Sequence, residues 1–458
     1  MRSRHAFTQA AQAVADSQRG DRTMAGRQMS GWRMLRPVLS LLAAVFMLMA
    51  GMGTLATVLG VRLADSGVST PAIGLVMGAY SAGLTVGSMQ AYRLIHRVGH
   101  IRAFSALVSS VCAATLLLPL LPDATAWGLL RLLQGFCMAG AFVCLESWLN
   151  QTAAPGTRGR ILAAYMISLY AGQAAGQTLL PLEAGDAQTV FIALAFLLSL
   201  AVLPVALTRQ QQPMLPDIVS FGFRRLYDAS PLGLTGTVFA GAIGGALVNM
   251  APVHLRQLGY GVGDTALFMA AIILGGVLLQ WPLGRLSDVF DRRRVIVALF
   301  AALAGTGFLL AEAESLAPGF PLLLAGAALF GGFAFTVYPA CVAHTNDHLS
   351  PAEVVPASGG LVLGYSTGAA LGPSAASTIM QMAGPGGLFL FCAGVGLAAA
   401  LYGLWRMGVS PAVPSAQQAP YAAVAVTTPV ATPLDPRADA ANGGGGPPRD
   451  FGERRAHP

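Results

Sequence analysis

Long runs of apolar residues, repeated twelve times along the chain, restrict its fold more than any other feature of the sequence. Most of these runs reach the roughly 20 residues that an α-helix needs to cross the hydrocarbon core of a bilayer. Charged residues make up only 10% of the 458 residues, against roughly 25% in a soluble domain. A water-soluble enzyme is therefore excluded, and the sequence predicts an all-α polytopic membrane protein. The predicted spans are 38–61, 72–95, 103–121, 124–149, 159–181, 188–207, 231–254, 264–284, 295–311, 319–343, 355–380 and 386–405.

The 27 basic residues are all arginine, and their distribution predicts the orientation of the chain. If the N-terminus is cytoplasmic, every arginine except Arg62, Arg131 and Arg256 lies in a terminal segment or loop on the cytoplasmic side. Such an excess of positive charge on one side predicts that both termini are cytoplasmic and that the number of spans is even. We expect a multi-pass protein of a bacterial plasma (inner) membrane. The same asymmetry explains the basic charge without a nucleic-acid partner.

The two halves of the chain resemble each other, with Leu63 matching Leu255 and Gly135 matching Gly331. Two six-helix halves in the same orientation are the parallel-repeat plan of one large class of transporters. The ends of the chain are polar or rich in Pro, Ala and Gly, a composition that favours disorder. The predicted domains are a disordered cytoplasmic leader at 1–36, six-helix bundles at 37–207 and 231–407, a cytoplasmic linker at 208–230 and a disordered cytoplasmic tail at 408–458.

Two motifs resemble signatures of the major facilitator superfamily. The sequence RLLQGFCMAGA at 131–141 resembles the signature of the fourth helix, and GRLSDVFDRRR at 284–294 resembles the family's loop signature. The loop at 93–102 is a degenerate copy with His96 in the usual acidic position, and LESWLN at 145–150 is similar to the YcaD-type branch. The resemblance implies twelve helices in two six-helix pseudo-repeats around a central cavity, and a secondary transporter of small molecules.

Arg131 is the candidate of greatest interest, because a charge at membrane depth is costly and normally faces protein or water. It could bind an anionic group or act on a neighbouring proton site. Alternatively, it could tie helices together through carbonyl oxygens, or extend towards the interface. Gln134 lies on the same helix face. The resemblance implies that spans 1, 4, 7 and 10 line the cavity, and each polar residue there could instead make an interhelical hydrogen bond. The candidate cavity residues are Arg131, Gln134, Asn249, Thr336 and Tyr338.

Glu146 lies near the predicted cytoplasmic end of the fourth span. It could carry a coupled proton, since burial raises the pKa of a carboxylate, or it could pair with a basic loop residue such as Arg158 and close a gate. We favour the gate or a structural role. Asp288 forms an acid–base cluster with Arg292 and Arg293 at a predicted cytoplasmic turn. The resemblance implies a gating role for this cluster, and the alternative is that it only sets the topology.

Small residues four apart occur in the fifth and eleventh spans, as Gly172 with Gly176 and as Gly368 with Gly372. Such pairs allow helix backbones to approach closely. Because the motif recurs at equivalent positions of the two repeats, we expect it to form a sliding interface between the halves.

No phosphate-binding loop, nucleophile–base pair or metal-ligand spacing is found in the sequence. We therefore expect no catalysis, no cofactor and no metal. The predicted function is secondary active transport of a small molecule by a monomer in lipid, with or without a coupled proton. The alternative is a transporter-like receptor or scaffold that does not translocate a substrate. A disordered tail predicts that removing 408–458 leaves transport unchanged.

Overall fold

The structure is a computed structural model that describes residues 38–153, 157–184, 188–207, 222–312, 319–409, 412–414, 418, 421–424 and 426–434. The predicted leader at 1–36 lies outside the described residues, as does most of the linker at 208–230. The described ranges contain helices and connecting turns, and no strand. The all-α fold predicted from the sequence is thus confirmed.

Twelve long helices follow one another along the described ranges. Those of the first half are α1 Leu39–Asp65, α2 Thr70–Val98, α3 His100–Leu117, α4 Ala124–Thr152, α5 Arg158–Gly176 and α6 Thr189–Leu200, which the short helix Val202–Ala206 prolongs. Those of the second half are α7 Pro231–Gln257, α8 Val262–Val289, α9 Arg292–Ala311, α10 Phe320–Asn346, α11 Pro351–Ala383 and α12 Gly387–Val409. A short helix, Phe223–Ala229, precedes α7, and the 3₁₀ helices are Leu118–Leu120, Gln177–Ala184 and Pro429–Leu434.

Within the described ranges, eleven spans are long and apolar enough to cross a membrane, and α5 is the helix that falls short. The sequence predicts one continuous span at 159–181, but α5 ends at Gly176 and continues as the 3₁₀ helix Gln177–Ala184. Pro181 lies inside this segment and has no amide hydrogen to donate to an α-helical ladder. With α5 in the fifth position, the helices agree with twelve spans in two six-helix repeats.

Local sequence determines how α2, α3 and α4 are joined. A single residue, Gly99, separates α2 from α3, and its φ of 85° is a conformation that glycine adopts without strain. At the start of α4, the Asp123 side chain accepts a hydrogen bond of 2.8 Å from the amide of Ala126. The indole of Trp127 donates to the carbonyl oxygens of Leu118 and Leu121. These contacts join the end of α3 to the first turns of α4, which carries Arg131.

Close backbone contacts position α2 against α4. A Cβ atom added at Gly135 of α4 would lie 2.0 Å from the carbonyl oxygen of Tyr80 in α2. A Cβ atom added at Gly83 would lie 2.1 Å from the carbonyl oxygen of Leu132. The two helices therefore touch through their backbones, and only glycine fits at the crossing.

The glycine pairs of α5 and α11 do not lie between the halves, so the predicted sliding interface is wrong. Gly172 and Gly176 pack against backbone carbonyls of α1, and Gly368 and Gly372 pack against backbone carbonyls of α7. Each pair therefore joins two helices of the same half. The repeat explains this arrangement, because α5 on α1 and α11 on α7 are equivalent crossings in the two six-helix units.

The two halves meet at the end of the molecule where α1 and α7 finish, which we name the closed end. Arg256 of α7 donates to both carboxylate oxygens of Asp65 in α1, at 3.0 and 2.9 Å. A Cβ atom added at Gly74 of α2 would lie 2.6 Å from the carbonyl oxygen of Pro373 in α11. An ion pair and a backbone contact thus hold the halves together at this end.

The opposite end, which we name the tail end, contains residues 421–424 and 426–434 between the halves. This segment contacts α4 and α5 on one side and α8, α10 and α11 on the other. The prediction of disorder throughout 408–458 is therefore wrong for the described part of the tail. Its apolar residues Val430, Ala431 and Leu434 are buried against the bundle. Residues 435–458 lie outside the described residues.

Candidate functional site

A cavity of about 170 Å³ lies between the two halves, near the middle of the bundle. Helices α1, α2, α4, α5, α7 and α11 line it, and Val426 of the tail faces it from the tail end. Methionines and glycines of α1 and α7 supply much of its apolar wall. The polar and aromatic residues of its lining are Tyr80, Ser81, Arg131, Gln173, Asn249, Tyr365 and Ser366.

Arg131 is the charged residue of the cavity lining, and its side chain is almost fully buried, with 1% exposed. Its guanidinium lies over the ring of Tyr80, 4.3 Å from the ring centroid. One terminal nitrogen donates to Gln134 at 3.5 Å, and the Nε atom has no partner. Among the described carboxylates, none forms a salt bridge with Arg131. The arrangement leaves a buried positive charge facing an open volume.

Gln134, predicted as a cavity residue, lies behind Arg131 and does not line the cavity. Its Nε2 atom donates to the hydroxyl of Thr115 in α3 at 3.1 Å, and its Oε1 atom accepts from Arg131. Gln134 therefore links the guanidinium of Arg131 to the hydroxyl of Thr115 in α3. Asn249 does line the cavity, and its side-chain amide donates to the carbonyl oxygen of Gly245 at 2.9 Å.

The two candidates from α10 are separated from this cavity. The hydroxyl of Thr336 donates to the carbonyl oxygen of Gly332 in its own helix at 2.7 Å, so it satisfies itself within the helix. Tyr338 lines a smaller gap of about 20 Å³ next to the tail, and its ring lies 5.0 Å from the ring of Tyr365. Tyr365 of α11 stands between Tyr338 and the central cavity, since it lines the cavity and contacts Tyr338.

The cavity is also lined by Tyr80 of α2, Gln173 of α5 and Tyr365 of α11. The family pattern of lining helices does not include these three helices. The glycine motifs of α5 and α11 could have indicated two of these residues. Gln173 follows Gly172 directly, and Tyr365 precedes Gly368 by one helical turn. A helix that packs closely on its partner through glycine brings neighbouring side chains to the centre of the bundle.

Glu146 is fully buried near the tail end of α4. Its carboxylate accepts hydrogen bonds from the hydroxyl of Tyr165 in α5, at 2.7 Å, and from the hydroxyls of Thr427 and Thr428 in the tail. Pairing with a basic loop residue such as Arg158, which the sequence offered as one alternative, is not among these hydrogen bonds. Three hydroxyl donors satisfy the carboxylate without a neighbouring positive charge, which a buried carboxylate otherwise requires.

Arg292 is the centre of the acid–base cluster at the tail end of the second half. It donates to Asp288 at 3.2 Å and to Asp347 at 2.6 Å, and it also reaches the carbonyl oxygen of Ala343. The predicted pairing with Asp288 is present, and Asp347 after α10 is an additional partner. The cluster therefore joins α8, α9 and α10 within one half. The Asp288 carboxylate also accepts from the backbone amide of Tyr421 at 2.7 Å.

Arg293 pairs with Asp291, the residue that caps the start of α9, with 2.9 Å between Nη2 and Oδ2. Burial of Asp291 raises the pKa of its carboxyl group, but the hydrogen bonds and charge of Arg293 outweigh this effect and lower the pKa overall. The ionised cap stabilises the first turn of α9. Arg293 therefore has a local structural contact, distinct from that of Arg292.

No three His, Cys, Asp or Glu side chains lie together as a possible metal site anywhere in the part of the chain that the structure describes. The cavity lining supplies an arginine, amides, hydroxyls and aromatic rings. It can bind a small molecule by hydrogen bonds, stacking and charge.

The sequence and the structure both resemble known transporters. The family model described as Major Facilitator Superfamily matches residues 41–272 and again 232–434. The uncharacterized MFS-type transporter YcaD of Salmonella enteritidis PT4 is 30% identical over 379 residues, which are 82% of this chain and 97% of the relative. YcaD of Salmonella typhi has the same identity and coverage.

Solved structures share the fold at low sequence identity. The nucleoside transporter NupG has a TM-score of 0.66 at 14% identity, over 81% of this chain and 98% of that chain. A bacterial homologue of the human lysosomal transporter Spinster, in an inward-facing and occupied conformation, has a TM-score of 0.65 at 16% identity, over 81% and 96%. A D-xylose–proton symporter has a TM-score of 0.61 at 16% identity, over 80% and 96%. The chain belongs to the major facilitator superfamily of membrane transporters.

Proposed function

We propose that the protein is a secondary active transporter that moves a small molecule across the bacterial plasma membrane by alternating access. The observation that carries this proposal is the central cavity between two halves that touch at the closed end and are separated by the tail segment at the other. Alternating access requires two states that are close in free energy. Two halves that contact each other at only one end can exchange between a state closed at that end and a state closed at the other.

The orientation that we propose places the tail end in the cytoplasm. This proposal is supported by the arginine distribution, because only Arg62, Arg131 and Arg256 of the 27 arginines depart from it. Arg62 donates to Glu183 at 2.5 and 3.0 Å, and Arg256 pairs with Asp65. The arrangement then corresponds to a transporter closed to the outside, and we propose that it acts as a monomer.

The proposed substrate is a small molecule that places an anionic or hydrogen-bond-accepting group against Arg131. The buried guanidinium has no ion-pair partner among the described carboxylates, so a ligand group that accepts its hydrogen bonds would offset its cost of desolvation. Tyr80, Tyr365, Gln173 and Asn249 would contact the rest of the molecule. If a proton is coupled, Glu146 is our candidate carrier, since its carboxylate is buried among hydroxyl donors.

Locking the closed end tests the transport proposal. A Cβ atom at Gly60 of α1 would lie 3.2 Å from Cβ of Pro252 in α7, close to the Cβ separation of a disulfide. We expect Gly60→Cys with Pro252→Cys, in a chain whose five native cysteines are alanine, to cross-link on oxidation. Uptake into proteoliposomes would then be lost and recovered on reduction, while ligand binding would persist.

The assay needs a ligand, and a panel of small carboxylates, phosphate esters, sugars and nucleosides supplies one. The compound that most raises the melting temperature in proportion to its concentration is the one whose uptake is measured. Single-cysteine variants at the same two positions are the controls and should remain active after oxidation. Binding without uptake by the reduced protein would instead support the receptor or scaffold alternative.

The Asp65–Arg256 pair provides a further prediction. Asp65→Asn should weaken the closed end and raise the fraction of molecules open there by roughly threefold, since a half-exposed ion pair contributes about 0.2–1 kcal/mol. Alkylation of a cysteine at Ser81, which lines the cavity, by a membrane-impermeant reagent added from the closed-end side measures this fraction. The swap Asp65→Arg with Arg256→Asp should restore the original rate. Equal labelling of all variants would show that the pair does not hold this end.

A further inference from the structure

The described tail segment follows a path into the bundle and out again. At its start, the ring of Tyr421 packs on Gly284 of α8, where an added Cβ atom would lie 2.3 Å from the ring. Val426 then reaches the central cavity. The 3₁₀ helix Pro429–Leu434 leads away from the cavity along α4 and α11. The segment therefore occupies the passage between the cavity and the tail end.

Polar contacts attach this segment to both halves. In the first half, Glu146 accepts from Thr427 and Thr428, and the Asn150 side chain donates to the carbonyl oxygen of Val430. In the second half, Asp288 accepts from the amide of Tyr421. Two of the three hydroxyls that donate to the buried Glu146 carboxylate thus belong to the tail. If the tail left and water did not replace these hydroxyls, the carboxylate would lose two hydrogen bonds at a considerable cost in free energy.

The segment also fills the passage by packing. Thr428 and Leu434 are 1% and 0% exposed, so both are as buried as core residues of the helices. The space left between the tail and helices α10 and α11 is a gap of about 20 Å³, bordered by Val424 and Ala431 on the tail side. A gap of this size holds about one water molecule, so a substrate cannot pass between the tail and these two helices.

We propose that the described tail segment, residues 421–424 and 426–434, is an autoinhibitory plug that holds the two halves apart at the tail end and blocks the central cavity. Closing the tail end brings α4 and α5 towards α10 and α11, into the volume that the plug fills. The plug must therefore leave before the molecule can change state. This inference rests on the proposed alternating access, and it replaces the expectation that the tail has no effect on transport.

The plug acts by shifting a population. A segment that binds one of two states lowers the fraction of molecules in the other, and the apparent activity falls with that fraction. Its attachment inside the same chain keeps its effective concentration high. Removing the plug should therefore increase the ratio of molecules closed at the tail end to molecules open there by at least about tenfold.

Distance measurements between spin labels test the plug without any substrate. The labels are attached at Arg160→Cys of α5 and Ala352→Cys of α11, which are exposed near the tail end, in a chain whose five native cysteines are alanine. We expect one long distance in the full chain and an added shorter one after deletion of 421–434. A synthetic peptide of 421–434 should restore the long distance, and a scrambled peptide should not.

Point variants guard against a folding defect in the deletion. Thr427→Glu with Thr428→Glu places two negative charges beside Glu146 and should expel the plug as the deletion does. Ala412→Glu adds one negative charge on an exposed part of the tail and should leave the distance unchanged. Identical long distances in the full chain, the deletion and the double variant would overturn the proposal. A shorter distance in the Ala412→Glu variant would also contradict it.

Uptake measurements separate the plug from the proposed function. If the deletion variant shows the shorter distance and takes up the panel ligand faster than the full chain, both proposals are supported. If the distance changes but neither protein transports any panel compound, the plug stands and the transport proposal fails. Uptake by the full chain at the rate of the deletion variant, with unchanged distances, would remove the plug and leave transport intact.

Discussion

Replacing Arg131 by alanine is expected to reduce transport roughly 100-fold or more, which corresponds to the loss of one or two hydrogen bonds to a charged group at 1.4 kcal/mol per factor of ten. The guanidinium is the positive charge of the cavity lining, and it lies over Tyr80 with Gln134 behind it. A ligand that binds there by charge would lose its main contact. The cavity itself would remain, because other residues form most of its wall.

The same substitution should leave the amount of folded protein nearly unchanged. Arg131 has no ion pair with a described carboxylate, so the cost of burying its charge is not offset in the empty protein. Uptake of the panel ligand and size-exclusion profiles of the purified variants measure the two effects. Arg97→Ala removes an exposed arginine and serves as the matched control. Normal uptake by Arg131→Ala would assign a structural role to Arg131, and loss of the folded protein would assign it a role in joining helices.

The arginine at membrane depth could be recognised from sequence because its environment is set by local composition. A charged residue within an apolar run has few stable positions, and the interior of the bundle is one of them. Asn249 was found through the family resemblance, which implies that the seventh span lines the cavity. The apolar runs also located the helices well, since the thickness of the bilayer fixes their length. The fifth span departs from its prediction, because α5 ends at Gly176 and Pro181 lies in the 3₁₀ helix that follows.

Contacts between distant parts of the chain could not be predicted in this way. For Glu146 the sequence offered a coupled proton or a pairing with a loop arginine, but its partners include Thr427 and Thr428, which lie far along the sequence. The tail was judged by its average composition, in which Pro, Ala and Gly predominate. That average conceals the stretch TTPVATPL at 427–434, where hydroxyls and apolar side chains are close enough together to match a buried carboxylate and an apolar passage. The average composition therefore predicted disorder for a segment that binds a specific surface of the helix bundle.

The largest expected effect on stability comes from Gly135→Ala in α4. Alanine normally favours a helix over glycine by about 1 kcal/mol, but the added Cβ atom would lie 2.0 Å from the carbonyl oxygen of Tyr80. A backbone carbonyl cannot rotate away as a flexible side chain can, so α2 must move away from α4. We expect a destabilisation of about 3 kcal/mol, the upper part of the range for overpacked cores, and a fall of about 5 °C or more in the melting temperature.

Gly128→Ala is the matched control, because it makes the same change in the same helix. There the nearest atom to the added Cβ is a methyl group of Val76 at 3.9 Å, an ordinary van der Waals contact, so helix propensity should dominate and the melting temperature should stay the same or rise. The two variants should also differ at the cavity, because moving α2 would withdraw the Tyr80 ring from the Arg131 guanidinium. Gly135→Ala should therefore weaken binding of the panel ligand, whereas Gly128→Ala should not. Equal melting temperatures for the two variants would mean that α2 and α4 do not touch through their backbones at Gly135.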